Sequence, residues 1–242
     1  MKPFSFEMFV RDSDDVCQVA VMIAKRLLGW DRSDQFSDEM LRIIGEVREP
    51  LEERLTPDDN GGRPTLKELR LQYEAKLEEK KDEIEQFGEL EEYDEKELNR
   101  VIAKTKLYVS IIEEINLKAK LTLKRSLSLC LILLKQCRAN VHDSNLVDIC
   151  ETLINPALQA TEDTENQLLV IESIGLLSLL DKDLFSNYSR IFLSILQDSL
   201  DQTDFDLNDE EDKMKLKQTI IALKSSIDGL IFYGTNENTE PL

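Results

Sequence analysis

Two apolar helical stripes, separated by one short polar break in LVDICETLINPALQATEDTENQLLVIESIGLLSLLDKD (residues 146–183), constrain this chain more than any other feature. In the first stripe Ile149, Leu153, Ile154 and Leu158 recur at helical spacing, and Pro156 falls where a bend rather than a straight rod is expected. In the second, Leu168, Leu169, Ile171, Ile174, Leu176, Leu177, Leu179 and Leu180 cover most of the helix circumference. A helix that is apolar nearly all round cannot face water and has to lie between neighbours. That is the position of the inner helix in a stacked α-solenoid, so the segment reads as one helical-hairpin repeat.

The stripe returns in weaker form. TIIALKSSIDGLIFYG (219–234) lies over QLLVIESIGLLSLLDK (167–182), with Ile220 and Ile221 on Leu168 and Leu169. YSRIFLSILQDSL (188–200) stands where NLVDICETLINPAL (145–158) stood. The offset, about 52 residues from Gln167 to Thr219, exceeds the ~40 to 47 of HEAT-type repeats. The acidic run DQTDFDLNDEED (201–212), read as a loop insertion, accounts for the excess.

Composition agrees with an all-α chain. Of 242 residues only 8 are Gly and 6 are Pro, 41% are apolar, and almost no alternating strand pattern occurs. Cys17, Cys130, Cys137 and Cys150 each sit in an apolar helical stripe without C-x-x-C spacing, which suits buried free thiols in a reducing compartment better than a disulfide or zinc framework. No signal peptide is recognisable, and no uncharged run reaches the ~18 residues that a membrane span needs.

Three blocks make up the chain, 1–56, 57–117 and 118–242. The first pairs DDVCQVAVMIAKRLLGW, ended by Gly29, with SDEMLRIIGEVREPLEERL, capped by Ser37 and bent or split at Pro50. The second opens after the break TPDDNGGRP. It carries a narrow stripe at Leu69, Tyr73, Leu77 and Ile84, then a heptad seam at Leu98, Val101, Thr105, Tyr108, Ile112, Ile115 and Ala119. Two narrow-seamed helices around a turn near 88–94 form an antiparallel hairpin, expected to project from the solenoid; the other reading is a pair of ordinary bundle helices. The third block begins with LTLKRSLSLCLILLKQC, joined to the seam helix without a breaker, as one long helix or one with a bend near 118–124.

Catalytic chemistry is hard to find. The single histidine, His142, sits beside Asn140 and Asp143 at a helix start, where capping or exposure is the ordinary role. No phosphate-binding glycine loop, nucleophile elbow or H-E-x-x-H pair exists. Asp204, Asp206 and Asn208 suggest calcium, but Asp209 and Lys215 stand where an EF-hand needs Gly and Glu. No catalytic, metal or cofactor site is therefore expected.

Charge is unevenly placed. Residues 104–138 hold eight bases (Lys104, Lys106, Lys118, Lys120, Lys124, Arg125, Lys135, Arg138) and two acids (Glu113, Glu114), so this island is +6 and the rest of a chain of net −19 is −25. Charges further off than a Debye length of ~8 to 10 Å are largely screened, so such an island suits local phosphate contact. It equally suits a solvated helix face. Lys118, Lys120, Lys124, Arg125, Lys135 and Arg138 are the candidates for contact with the duplex backbone, from local charge alone.

The order of elements resembles the CAP-G subunit family of condensin, a HEAT-repeat family. The resemblance rests on DEMLRIIGEVREPL, then a charged helical insertion, then LINPALQ, ESIGLLSLLDKDL and ALKSSIDGLIFYG, and covers about 37–234. It implies a HEAT-type α-solenoid segment from the middle to later part of a longer solenoid. It also implies a non-enzymatic scaffold that uses no cofactor, binds the kleisin subunit of condensin in its groove, clamps double-stranded DNA without base specificity, and meets the SMC ATPases only indirectly. Localisation to the nucleus and chromosomes, and to the cytoplasm for part of the cell cycle, comes with it. The alternative is a solenoid adaptor in transport or signalling that binds protein only, with the charged hairpin as its docking arm.

Overall fold

A computed structural model describes residues 33–51, 64–89, 95–136, 144–160, 163–201, 206 and 208–234. No strand occurs among them, and the fold is an all-α, solenoid-like segment. The helix expected over DDVCQVAVMIAKRLLGW, with Cys17, lies outside the described residues, as do Cys137, Arg138 and His142. Contacts divide the chain into two compact units, one of Met1–Gly45 with Lys124–Leu242 and one of Glu46–Leu123.

Helix α1, Ser33–Arg48, buries Met40 and Ile44, four residues apart on one stripe. It is already helical at Ser33, so Ser37 lies inside it rather than capping it. The residue before a proline is driven out of the α region, and α1 accordingly stops short of Pro50 and gives way to a 3₁₀ turn, Glu49–Leu51.

The Glu46–Leu123 unit is built on α2, Leu66–Glu89, and on the first two-thirds of α3, Glu95–Gln136. Helix α2 starts on a reciprocal cap. Thr65 Oγ1 accepts from the Glu68 N–H at 3.2 Å, and Glu68 Oε2 accepts from the Thr65 N–H at 2.7 Å. The two helices meet at Tyr73 and Tyr108, whose rings lie 5.9 Å apart. Val101 and Ile115 of the heptad seam are buried. The polar side of α2 carries pairs at helical spacing, Arg70–Glu74 at 2.7 Å, Lys81–Glu78 at 3.3 Å and Lys80–Glu83. No breaker interrupts α3 near residue 120, and it runs unbroken through all 42 residues, ~63 Å at 1.5 Å each.

The remaining unit holds the core. The tail of α3 is apolar nearly all round, and Ser126, Leu127, Ser128, Leu129, Cys130, Leu131, Ile132, Leu133 and Leu134 are all buried. One helical track then takes three forms: α4, Ser144–Ile149, a π-helical stretch, Cys150–Ile154, and α5, Asn155–Ala160. Pro156 is the cause that the sequence offers. It has no N–H to donate and crowds the preceding turn, and the widened turn beside it lets the Asn155 N–H reach the Cys150 carbonyl five residues back.

Each later helix starts on an aspartate. Asp163 accepts from the Asn166 N–H ahead of α6, Thr164–Ser178. Asp181 accepts from the Asp183 and Leu184 N–H groups at 2.8 and 3.0 Å ahead of α7, Lys182–Asp201. Asp209 accepts from the Glu211 N–H ahead of α8, Glu210–Tyr233. The acidic run read as a loop over 201–212 is therefore shorter than expected, because Asp201 ends α7 and Glu210, Glu211 and Asp212 form the first turn of α8. Carboxylates there face the positive end of the helix dipole.

Helix α6 packs against α5, α7 and α8, as its all-round apolar surface requires. Val170, Ile174 and Leu177 are essentially inaccessible, together with Ile154 from the π stretch, Phe192 from α7 and Ala222 from α8. Two of its buried serines close their hydroxyls on their own helix, Ser173 onto the Leu169 carbonyl at 2.8 Å and Ser178 onto that of Ile174 at 2.6 Å. A Cβ added to Gly175 would collide with the Ser225 hydroxyl of α8, so the Ser225 side chain lies directly against the Gly175 backbone.

Candidate nucleic-acid interface

Five of the six basic candidates lie on α3, and Arg138 lies outside the described residues. In the Glu46–Leu123 unit, Lys118 is exposed and pairs with Glu114 one turn earlier, at 2.7 Å. The hydrogen bond from Lys118, with its charge, holds the Glu114 carboxyl below the usual carboxylate range. Lys120 is also exposed but stands two residues on, about 200° round the helix, so these two cations point to opposite sides.

In the other unit, Lys124 and Lys135 stand eleven residues apart, about three turns, and both face α6. Lys124 Nζ meets Glu165 at 2.9 Å, and Lys135 Nζ meets Glu172 at 2.7 Å. Arg125 turns away and is exposed, and it makes no ion pair with any described residue. The island that sequence reasoning treated as one surface is thus divided by helical phase and part-neutralised. Its neutralising acids come from 41 and 37 positions downstream, where local charge counting does not reach.

Exposed ion pairs of this kind are worth ~0 to 1 kcal/mol, so a phosphate oxygen could replace either glutamate at little cost. The arrangement suits scattered contacts to a phosphate backbone rather than the reading of base edges. A second set escaped sequence reasoning. Lys213, Lys215, Lys217 and Lys224 succeed one another on α8 with no acid among residues 213–224. Lys213 and Lys215 pair back to Glu210 and Glu211 at 2.6 and 2.9 Å. Lys217 and Lys224, seven residues apart and so on one stripe, are exposed and form no close ion pair with a described carboxylate, though, after Lys213, the Lys217 charge helps to lower the Glu210 pKa. Acid-free lysine spacing was the available signal.

The described residues contain no group of His, Cys, Asp and Glu that could hold a metal. Asp206 and Asp209 instead serve the turn ahead of α8, Asp206 accepting from the Asn208 N–H at 2.9 Å. Burial pushes the Cys130 thiol up to about 12 and that of Cys150 to about 11, so both stay protonated and unreactive near neutral pH. No described helix is long and apolar enough to cross a membrane.

Residues 125–240 match the family of nuclear condensing complex subunits, over their C-terminal domain. The match opens one residue after Lys124, where the second stretch of the larger unit begins, and takes in α4 to α8 whole. No curated protein and no solved structure matches the chain. The buried α3 tail and the sandwiched α6 lie in the stretch that is similar to the C-terminal domain of nuclear condensin complex subunits.

Proposed function

We propose that the chain is a non-enzymatic scaffold of condensin, built of HEAT-type hairpins, which binds the kleisin subunit and the backbone of double-stranded DNA on chromosomes in the nucleus. The observation that carries this reading is the family match across α4 to α8. In it the SMC ATPases supply the chemistry elsewhere in the complex. This chain supplies a rigid surface, and its exposed cations, Lys118, Lys120, Arg125, Lys217 and Lys224, supply sequence-independent attraction. Displacement of Glu165 and Glu172 adds Lys124 and Lys135 when a phosphate arrives. Arg138 completes the candidate set.

One observation favours the rival reading, an adaptor that binds protein only: the two lysines facing α6 already have carboxylate partners. Titration of the chain with the kleisin subunit, at physiological salt and with a random-sequence duplex present or absent, separates the two. The scaffold reading expects a ternary complex that holds duplex more tightly than the chain alone does. Kleisin binding with no duplex affinity in either state would leave the adaptor, and no kleisin binding would overturn the condensin reading.

A further inference from the structure

Between the π stretch and α7 lies a cleft of about 390 Å³, remote in chemistry from the basic surface. Cys150, Leu158, Leu184, Tyr188 and Ile191 give it apolar walls, and Glu151, Gln159 and Asn187 form an exposed rim, with no lysine or arginine among the described lining residues. At its edge the Tyr188 hydroxyl donates to Asn155 Oδ1 at 3.0 Å. With Oδ1 turned to Tyr188, the Asn155 NH₂ group points away from that hydroxyl. The widened helical turn at Pro156 carries Asn155 into this position.

We infer that this cleft binds an extended peptide segment that inserts one large apolar side chain and carries a lysine or arginine beside it. The volume lies near the lower end of the ~300 to 1,000 Å³ of ligand sites, room for one such side chain with its flanking backbone. The Asn155 NH₂ donates to a backbone carbonyl. Asn187 and Gln159, each both donor and acceptor, pair with the N–H and C=O of neighbouring peptide units. Glu151, the one charge among the described lining residues, faces the cationic residue and disfavours phosphate-bearing ligands. The inference rests on the lining residues and not on the condensin reading, and either stands if the other fails.

Phage-displayed random linear dodecapeptides, selected on the whole chain, supply the probe. The expected result is a consensus of Leu, Ile, Phe or Met next to Lys or Arg. As a synthetic peptide it should bind at least tenfold more weakly to a Glu151→Lys, Asn187→Ala double variant, whose changes are at exposed positions and leave the core intact. Tyr188→Phe frees the Asn155 carboxamide to turn and should weaken the same peptide by a smaller factor. No enriched consensus, an acidic consensus, or a basic-apolar one whose affinity the double variant leaves unchanged would each overturn the inference.

Discussion

Helices α6 and α8 answer to each other along the sequence, and their corresponding faces meet opposite surroundings. On one face they agree: Val170, Ser173 and Leu177 are buried, and so are their counterparts Ala222, Ser225 and Gly229. On the other they part. Ile171, Gly175 and Ser178 are buried, whereas Leu223, Ile227 and Leu230 are 48, 46 and 61% exposed. The contact of Gly175 with Ser225 explains the difference, for the first face of α8 is seated on the second face of α6. Packing here is head to tail, one helix's inner stripe on its predecessor's outer one, which is the nearest-neighbour logic of a solenoid. The same apolar stripe is core in α6, where α8 covers it, and surface in α8, where no described helix does.

The sharpest way to break this comparison is to truncate the corresponding position in both helices. Ile171→Ala should lower stability by ~2 to 5 kcal/mol, because it leaves a cavity between α6 and α8. Leu223→Ala, half exposed, should cost well under half as much, and equal losses in urea-melt midpoints would contradict the packing described.

Next in size are the glycines. Gly175→Leu should cost ~1 to 3 kcal/mol by overpacking against Ser225, and Gly229→Ala should cost a comparable amount because its Cβ would meet the Phe185 ring. A rise in melting temperature for either variant would show that the helices do not approach as closely as described.

The thiols sharpen the contrast between core and surface. Cys130 and Cys150 have raised folded-state values, about 12 and about 11 against an ordinary 9, so their contribution to stability is whole below pH 9 and is lost as pH climbs from there through 11 to 12. Unfolding midpoints should be level from pH 6 to 8 on this account and decline above 9. Mass-spectrometric mapping of iodoacetamide at pH 8 should find both sites unmodified in the folded chain. Rapid labelling of Cys130 would place it outside the core.

Smallest is Ile227→Glu. On an uncovered face this charge should change stability by no more than ~0.5 kcal/mol, a difference that thermal melts in duplicate resolve. A loss of several kcal/mol would mean that the stripe is covered after all.

Much of this architecture is legible in the residues. The all-round apolar run at 168–180 demanded neighbours on every side, and α6 has them. The glycine at 175, costly inside a helix, announced the close approach that Ser225 makes. Pro156 announced a departure from regular helix, but its π form depends on where the Asn155 N–H finds a carbonyl, which no local rule fixes. Ser37 looked like a cap because serine is one, yet the helix was already under way at Ser33. The ion pairs within the basic island were not legible for a related reason. Its charge was counted along the chain, whereas Glu165 and Glu172 reach Lys124 and Lys135 through the fold. The Tyr188–Asn155 bond, spanning 33 residues, lay beyond any spacing rule.

The claim that this chain holds duplex through backbone charge is tested most directly by one salt titration, of the wild type and of a Lys120→Glu, Lys124→Glu, Arg125→Glu variant, on duplexes of unrelated sequence. Each phosphate contact should add ~0.9 to the fall of log K with log[salt]. The account predicts weaker binding of the variant to every duplex, a slope flatter by roughly two to three units, and kleisin binding less affected. An unchanged affinity and slope, in a variant that still folds and binds kleisin, would contradict it.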